Sequence, residues 1–213
     1  MTTETKWLGA VLIITVVLLF GGIFLLSRNN SSKGNGATEV LQIDYSKGQK
    51  IGSDSAKVKL TEFSDFECPA CAAVEPFLAK FKSGDPDIQF IYRHFPLPQH
   101  KFARQAATVA EVAGEEGKFW EMHDKIFETQ SQWSKLSDAT DFFMALVKEL
   151  GVDENKVKQA LEKDVYKSKI NEDLSEGRGL GVNSTPTFFL NGRKLNLKSF
   201  NDLNTIVAEE LKK

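Results

Sequence analysis

The chain has 213 residues, a net charge of −2 with acidic and basic side chains interleaved, and 41% apolar content that includes sixteen phenylalanines. That is enough apolar material for one packed domain plus an extra segment, and it supplies no basic footprint for nucleic acid. Only two cysteines are present, Cys68 and Cys71, which excludes a structural disulfide framework and a four-thiolate zinc site.

Residues 1–6 are a short polar start. Trp7 to Leu26 follows as a run of twenty residues with no charge. At about 1.5 Å per helical residue it spans roughly 30 Å, the thickness of a bilayer's hydrocarbon core. A cleaved signal peptide is the competing reading, but its apolar stretch is usually only about 7–15 residues and ends in a small-residue site. Ser27-Arg28-Asn29-Asn30 offers no such site, and no Cys directly follows for lipid attachment. The expectation is therefore an uncleaved anchor over 7–26. Its orientation carries a conflict. Lys6 is the only basic residue before the run, whereas Arg28 and Lys33 follow it, so the basic count leans toward a cytoplasmic domain by one residue.

Residues 27–39 read as a flexible polar linker. Val40 to Tyr45 alternates in the β manner and predicts a short leading strand. Gly48 to Ser55 is a turn-rich entry. Val58 to Phe63 reads as a strand, and Pro69 opens a helix expected to run to about Lys82, with Pro76 inside it. Ile88 to Phe95 is a second strand. From about Lys101 the pattern turns helical: Phe102, Ala106, Val109, Ala110 and Ala113 share one face, and further amphipathic stretches follow to Ser175. Thr187 to Leu190 is a strand, and Asn191-Gly192 is a type I′ hairpin signal into Lys194 to Leu197. Ser199 is expected to cap a last helix, Phe200 to Leu211. The order is β-α-β, a helical block, then β-β-α.

Cys68-Pro69-Ala70-Cys71 sits where the first strand passes into the first helix. Two thiols at this spacing close a short disulfide across one helical turn, and that bond opens without unfolding the chain. Attack on a disulfide needs a thiolate, and an ordinary Cys near pKa 8.5 is only a few per cent ionised at pH 7. Cys68 opens the helix, where amides and the dipole favour negative charge. Cys68 is thus the candidate nucleophile and Cys71 the buried resolving thiol. Ala70 brings no charge, and Asp65 and Glu67 are acidic neighbours, so the expected depression of the Cys68 pKa is mild. A carboxyl at Glu62, on the strand face shared with Leu60, is placed to relay the Cys71 proton; the alternative is an exposed strand Glu. Phe66 is either part of an apolar, substrate-facing patch or core. His94, His100 and His123 lack metal-ligand spacing. His94 reads as structural, and His123 as packing or a surface hydrogen bond.

Val58-Lys59-Leu60-Thr61-Glu62-Phe63-Ser64-Asp65-Phe66-Glu67-Cys68-Pro69-Ala70-Cys71 resembles the active-site strand and helix of the DsbA-like thiol–disulfide oxidoreductases. So do Arg93 to Leu97, Ala106 to Phe127, and Gly181-Val182-Asn183-Ser184-Thr185-Pro186-Thr187. The likeness covers roughly residues 40–211. It implies an α/β, thioredoxin-like fold with an inserted α-helical domain, here preceded by one N-terminal transmembrane helix. On that reading 1–6 is cytoplasmic, 7–26 the anchor, 27–39 the linker, 40–100 the first part of the thioredoxin-like domain, 101–176 the insertion and 177–213 the second part. The resemblance further implies that Cys68 and Cys71 are the redox pair. Pro186 would be a cis-proline facing them, and Thr185 would pair its backbone with substrate. Glu62 would be the acidic residue under the disulfide. Pro69, Ala70 and Phe66 join Thr185 as candidates for substrate contact.

The expected activity is disulfide formation in exported proteins by a membrane-anchored monomer with its catalytic domain outside the cell membrane. It would need no metal or cofactor, but would need a membrane redox partner. A cytosolic thiol pool keeps exposed disulfides reduced, which sets the orientation against the basic count. Alternatives within the class are a reductase or an isomerase, although residues 27–50 are short for an isomerase's dimerisation module. Outside it stands a Cu(I)-binding module using the same two cysteines as soft ligands, with few methionines to assist it.

Overall fold

A computed structural model describes residues 40–213. The expected anchor over 7–26 lies outside the described residues, and among those described no helix is long and apolar enough to cross a membrane. The sheet contains β1 (Gln49–Ile51), β2 (Val58–Ser64), β3 (Ile88–His94), β4 (Thr187–Leu190) and β5 (Arg193–Lys194), in the order β1-β3-β2-β4-β5. β2 and β3 are parallel; the other neighbours are antiparallel. Helix α1 (Pro69–Leu78) provides the crossover between the parallel pair. Helices α2 (Ala103–Glu115), α3 (Phe119–Glu128), α4 (Gln130–Trp133), α5 (Thr140–Glu149), α6 (Glu154–Glu162) and α7 (Lys167–Gly179) form the helical block, and α8 (Asp202–Leu211) closes the chain.

The period of two sorts the sheet into two faces. Leu60, Phe90 and Leu190 face α1 and α8, joining Val74, Leu78 and Leu203 in one core. Phe63 and Phe189 face the opposite way, toward Phe95 and Leu174 of α7. α7 runs unbroken across the expected boundary at 176 and lies very close to the sheet. A Cβ at Gly177 would stand 2.8 Å from the Phe95 ring and 2.9 Å from Phe63, so only Gly permits this approach. The same contact zone buries Arg93, whose Nε donates to Asp173 at 2.6 Å and whose Nη2 donates to Glu176 at 2.6 Å. Asp173 also accepts the His94 amide at 3.0 Å, which satisfies its second oxygen. A third core fills the helical block and reaches Phe66, Cys68 and Cys71, so the redox motif sits where insertion meets sheet.

Several local expectations change. Val40 makes one isolated bridge to Arg193 instead of leading a strand over 40–45. The edge strand is β1, inside the stretch read as a turn-rich entry, paired with Phe90 to Tyr92 of β3. α1 stops at Leu78, and a separate 3₁₀ turn covers Phe81–Ser83. Ser199 does not cap α8; the Asp202 carboxylate accepts the amides of Lys198 and Ser199, and the helix begins at Asp202. The Asn191-Gly192 turn has φ of 47° and 78°, the two left-handed residues a type I′ hairpin requires. Asn191 adds a tie to β2, its Oδ1 accepting the Lys59 amide at 2.8 Å.

Candidate active site

Cys68 is the N-cap of α1, with extended backbone at φ −75° and ψ 120°, and Pro69 follows in the first turn. Proline suits that place because its missing N–H is one the helix cannot use there, and its fixed φ is already helical. The Cys71 and Ala72 amides both bond the Cys68 carbonyl at 3.1 Å, and the Cys68 amide bonds Asp65 at 3.0 Å. From the helical block, Gln130 Nε2 donates to the Phe66 carbonyl at 2.8 Å and to the Cys68 carbonyl at 2.9 Å. The spacing of the motif gives no hint of this buried clamp, because its donor lies 62 residues downstream.

Both thiols are free, with Cys68 7% exposed and Cys71 fully buried. Pro69 and Ala70 beside them are exposed. Thr185–Pro186 is a cis peptide bond, and the Cys68 thiol donates to the Thr185 carbonyl at 3.4 Å. The cis turn is therefore packed directly against the first sulfur, placed there by pairing of Thr187 with Phe63.

The two sulfurs have opposite acidities. Cys68 is brought down to about 5, chiefly by a hydrogen bond from the Cys71 thiol. Burial works against this, while Thr185 and the amides of Cys71 and Ala70 assist it. Cys71 is raised well above an ordinary thiol by burial, by its bond to Cys68 and by the nearby Glu62 carboxyl. The depression at Cys68 exceeds the mild one expected from Asp65 and Glu67. Both carboxylates are engaged elsewhere: Asp65 accepts from the Glu67 and Leu97 amides and from His100 Nδ1, and Glu67 accepts the Phe102 amide.

Glu62 lies on the same face of β2 as Leu60, is fully buried, and pairs across the sheet with Tyr92. Neither of its oxygens has a hydrogen-bond partner in the protein, and the Ser64 and Tyr92 hydroxyls beside it are also unpartnered. Burial first, then repulsion from Glu75, raises Glu62 well above the usual carboxylate range and favours its protonated form. Phe66 is corrected to core. It is 1% exposed, with its ring against Tyr92 at 5.3 Å, His123 at 5.6 Å and Phe127 at 5.0 Å, so it presents no face to a substrate. His94 is buried, with Nε2 2.8 Å from Glu111. His123 is fully buried among aromatic rings, not a surface residue, and its Nδ1 lies 2.8 Å from Asp124.

One further constellation adjoins the motif. Glu75, His123 and Asp124 bring ligand-type atoms within 4.8 Å of one another. The Lys82 ammonium already lies 2.7 Å from Glu75 and 2.6 Å from Asp124, so the cluster carries its own cation. A groove of about 550 Å³ opens there between α1 and α3.

Residues 45–209 match the family model described as Thioredoxin. The first curated relatives include Na(+)/H(+) antiporter NhaA 1 of Salinispora arenicola, 31% identical over 156 residues, which is 73% of this chain but 23% of that protein. The chain thus spans about a quarter of the length of those relatives. A second kind of relative matches end to end: the protein named Probable disulfide bond formation protein D of Bacillus cereus is 29% identical, over 97% of this chain and 96% of that one. Among solved structures, oxidised BdbD of Bacillus subtilis superposes with a TM-score of 0.71 at 24% identity, covering 83% of this chain and 99% of that one. Alpha-DsbA2 of Wolbachia pipientis superposes at 0.64 and 23% identity, covering 78% and 88%. These superpositions establish a thioredoxin-like fold with a helical insertion.

Proposed function

This chain belongs to the thioredoxin family, and from that premise we propose that it is a thiol–disulfide oxidoreductase working through Cys68 and Cys71. The observation that carries the reading is the opposed acidity of two thiols one helical turn apart: Cys68 near 5 with a small exposed face, Cys71 raised and fully buried. At pH 7 a thiol of pKa about 5 is roughly 99% thiolate, against a few per cent for an ordinary cysteine. Such a thiolate is also a good leaving group, which favours the protein as the oxidant.

The exchange runs in two displacements. A substrate thiolate attacks the Cys68 sulfur of the disulfide form; the Cys68–Cys71 bond breaks and Cys71 departs with the electron pair and takes up a proton. A second substrate thiolate then attacks the substrate sulfur of the mixed disulfide, forming the substrate's disulfide and releasing Cys68 as thiolate. The substrate is oxidised by two electrons and the Cys68–Cys71 pair is reduced by two. Substrate would lie over the exposed Pro69 and Ala70 and against Thr185 and Pro186. Glu62 would exchange the Cys71 proton.

The direction is oxidative, on exported proteins carrying thiols, by a monomer anchored in the cell membrane through 7–26 with residues 27–213 outside. A membrane redox partner would restore the disulfide. The end-to-end relative named for disulfide bond formation and the low pKa of Cys68 favour this over reduction or isomerisation. The test is transfer: the disulfide form, mixed with a reduced two-cysteine protein and quenched with an alkylating reagent, should yield one substrate disulfide per chain consumed. No transfer overturns the proposal. Protease added to intact spheroplasts should remove the catalytic domain. Survival until the membrane is broken would place it inside and replace the oxidase with a reductase.

A further inference from the structure

The exchange just proposed leaves a transport problem at Cys71. Each breakage or formation of the Cys68–Cys71 bond makes Cys71 take up or give up one proton, yet Cys71 is fully buried. Glu62 can trade one proton with it, but it too is fully buried and must in turn trade that proton with solvent.

The geometry points to a proton exit from this pair through Glu75, His123 and Asp124 into the groove between α1 and α3. Glu75 follows Cys71 by four residues, which sets both on the same side of α1. Its Oε1 is buried without a partner, and so is His123 Nε2. These two orphans face each other at 3.6 Å, too long for a direct bond and within reach of a small side-chain shift or one bridging water. His123 Nδ1 meets Asp124 Oδ1 at 2.8 Å, and Asp124 is half exposed, on the wall of the groove. Asp124 is held at about 2 despite burial, by His123 and Lys82, so it is ionised and accepts from Nδ1. That fixes the tautomer with a lone pair on Nε2, turned to Glu75.

The relay is then balanced atom by atom. For Cys71 to act as a thiolate, Glu62 hands its proton to Glu75, which passes it to the Nε2 lone pair while Nδ1 releases its own through Asp124 to groove water; the emptied Glu62 carboxylate then takes the Cys71 proton, and the imidazole is left protonated on Nε2. In the reverse reaction each proton moves the other way. No electrons travel with it. Lys82 holds the far oxygen of Glu75 at 2.7 Å and Asp124 at 2.6 Å, fixing both carboxylates without blocking the orphan atoms. The remaining groups against His123 are the rings of Phe66, Tyr92, Phe119, Trp120 and Phe127, which keep water from short-circuiting the path.

This rests on the exchange reading, and the experiment separates the two. Reduced full-length chain is reacted with oxidised glutathione, and two steps are timed: formation of the Cys68–glutathione mixed disulfide, and its resolution by Cys71. His123→Ala and the milder Asp124→Asn should slow resolution about tenfold or more at pH 7, while formation stays within about twofold. Added imidazole, entering the groove beside the vacated site, should restore much of the His123→Ala loss. Unchanged resolution in both variants, equal slowing of both steps, or slowing that imidazole leaves untouched overturns the exit. A parent chain that forms no mixed disulfide at Cys68 overturns the exchange reading instead.

Discussion

Cys68→Ser is expected to abolish dithiol oxidation, lowering the rate on the order of 10⁴-fold or more, the scale on which removal of a nucleophile acts. Cys71→Ser is expected to behave differently. Its Cys68 thiolate should still attack the disulfide of an oxidised substrate and release one substrate thiolate, but no buried thiol would resolve the product, so mixed disulfides with substrate should accumulate and be visible on a non-reducing gel. The asymmetry follows from burial: Cys68 retains a face to solvent beside exposed Pro69 and Ala70, and Cys71 has none. The acidities make the same distinction in the parent chain. At pH 6 Cys68 lies about one unit above its pKa and is mostly thiolate, whereas Cys71 remains a thiol. Iodoacetamide should therefore label Cys68 alone. Equal labelling of the two thiols at pH 6 would contradict the assignment. Cys71→Ser should also raise the Cys68 pKa, because a serine hydroxyl in a pocket shaped for sulfur sits farther from the thiolate that the Cys71 thiol now contacts.

The central features were legible because they are local in the chain. Strand alternation from Val58 placed Glu62 on the inward face with Leu60, and both are buried there. Pro69 marked the first turn of α1, and Asn191-Gly192 marked the hairpin between β4 and β5. β1 was missed because three residues carry no detectable period; their strand character comes from the free edge of β3. The effect of Asp65 and Glu67 was misjudged because adjacency in sequence does not give side-chain direction. His100, Leu97 and Phe102, thirty or more residues away, take up their charge. Gln130, Glu75 and His123 were beyond reach for a related reason: each acquires its partner only when the helical block docks onto α1 and the loop before it. The aromatic stripe that includes Phe119 and Phe127 announced an amphipathic helix, but periodicity could not show that the histidine on it was fully buried.

The same opposed acidities make stability depend on pH and redox state together. Only the reduced chain has a titrating Cys68. Its folded pKa is about 5, below the value near 8.5 of an unfolded thiol, so the folded state binds this proton less tightly than the unfolded state does. A depressed acid stabilises the fold fully above the unfolded pKa and loses that contribution as pH falls through the folded one. The gap in unfolding free energy between reduced and oxidised chains should therefore widen, in favour of the reduced form, as pH rises from about 5 to about 8.5. The limiting slope is about 1.4 kcal/mol per pH unit, and the solvent contact of Cys68 screens it to something less. Above that window the raised Cys71 acts in the opposite sense, because the unfolded thiol ionises first and the gap narrows. By linkage, each kcal/mol gained by the reduced form makes the disulfide correspondingly more oxidising, since the redox equilibrium and the two unfolding equilibria close a cycle. Urea titrations of both forms at pH 5, 6, 7 and 8 measure the gap directly. A gap that stays constant across those values would mean that the Cys68 thiolate is not stabilised by the fold, and the acidity argument for an oxidant would fall with it.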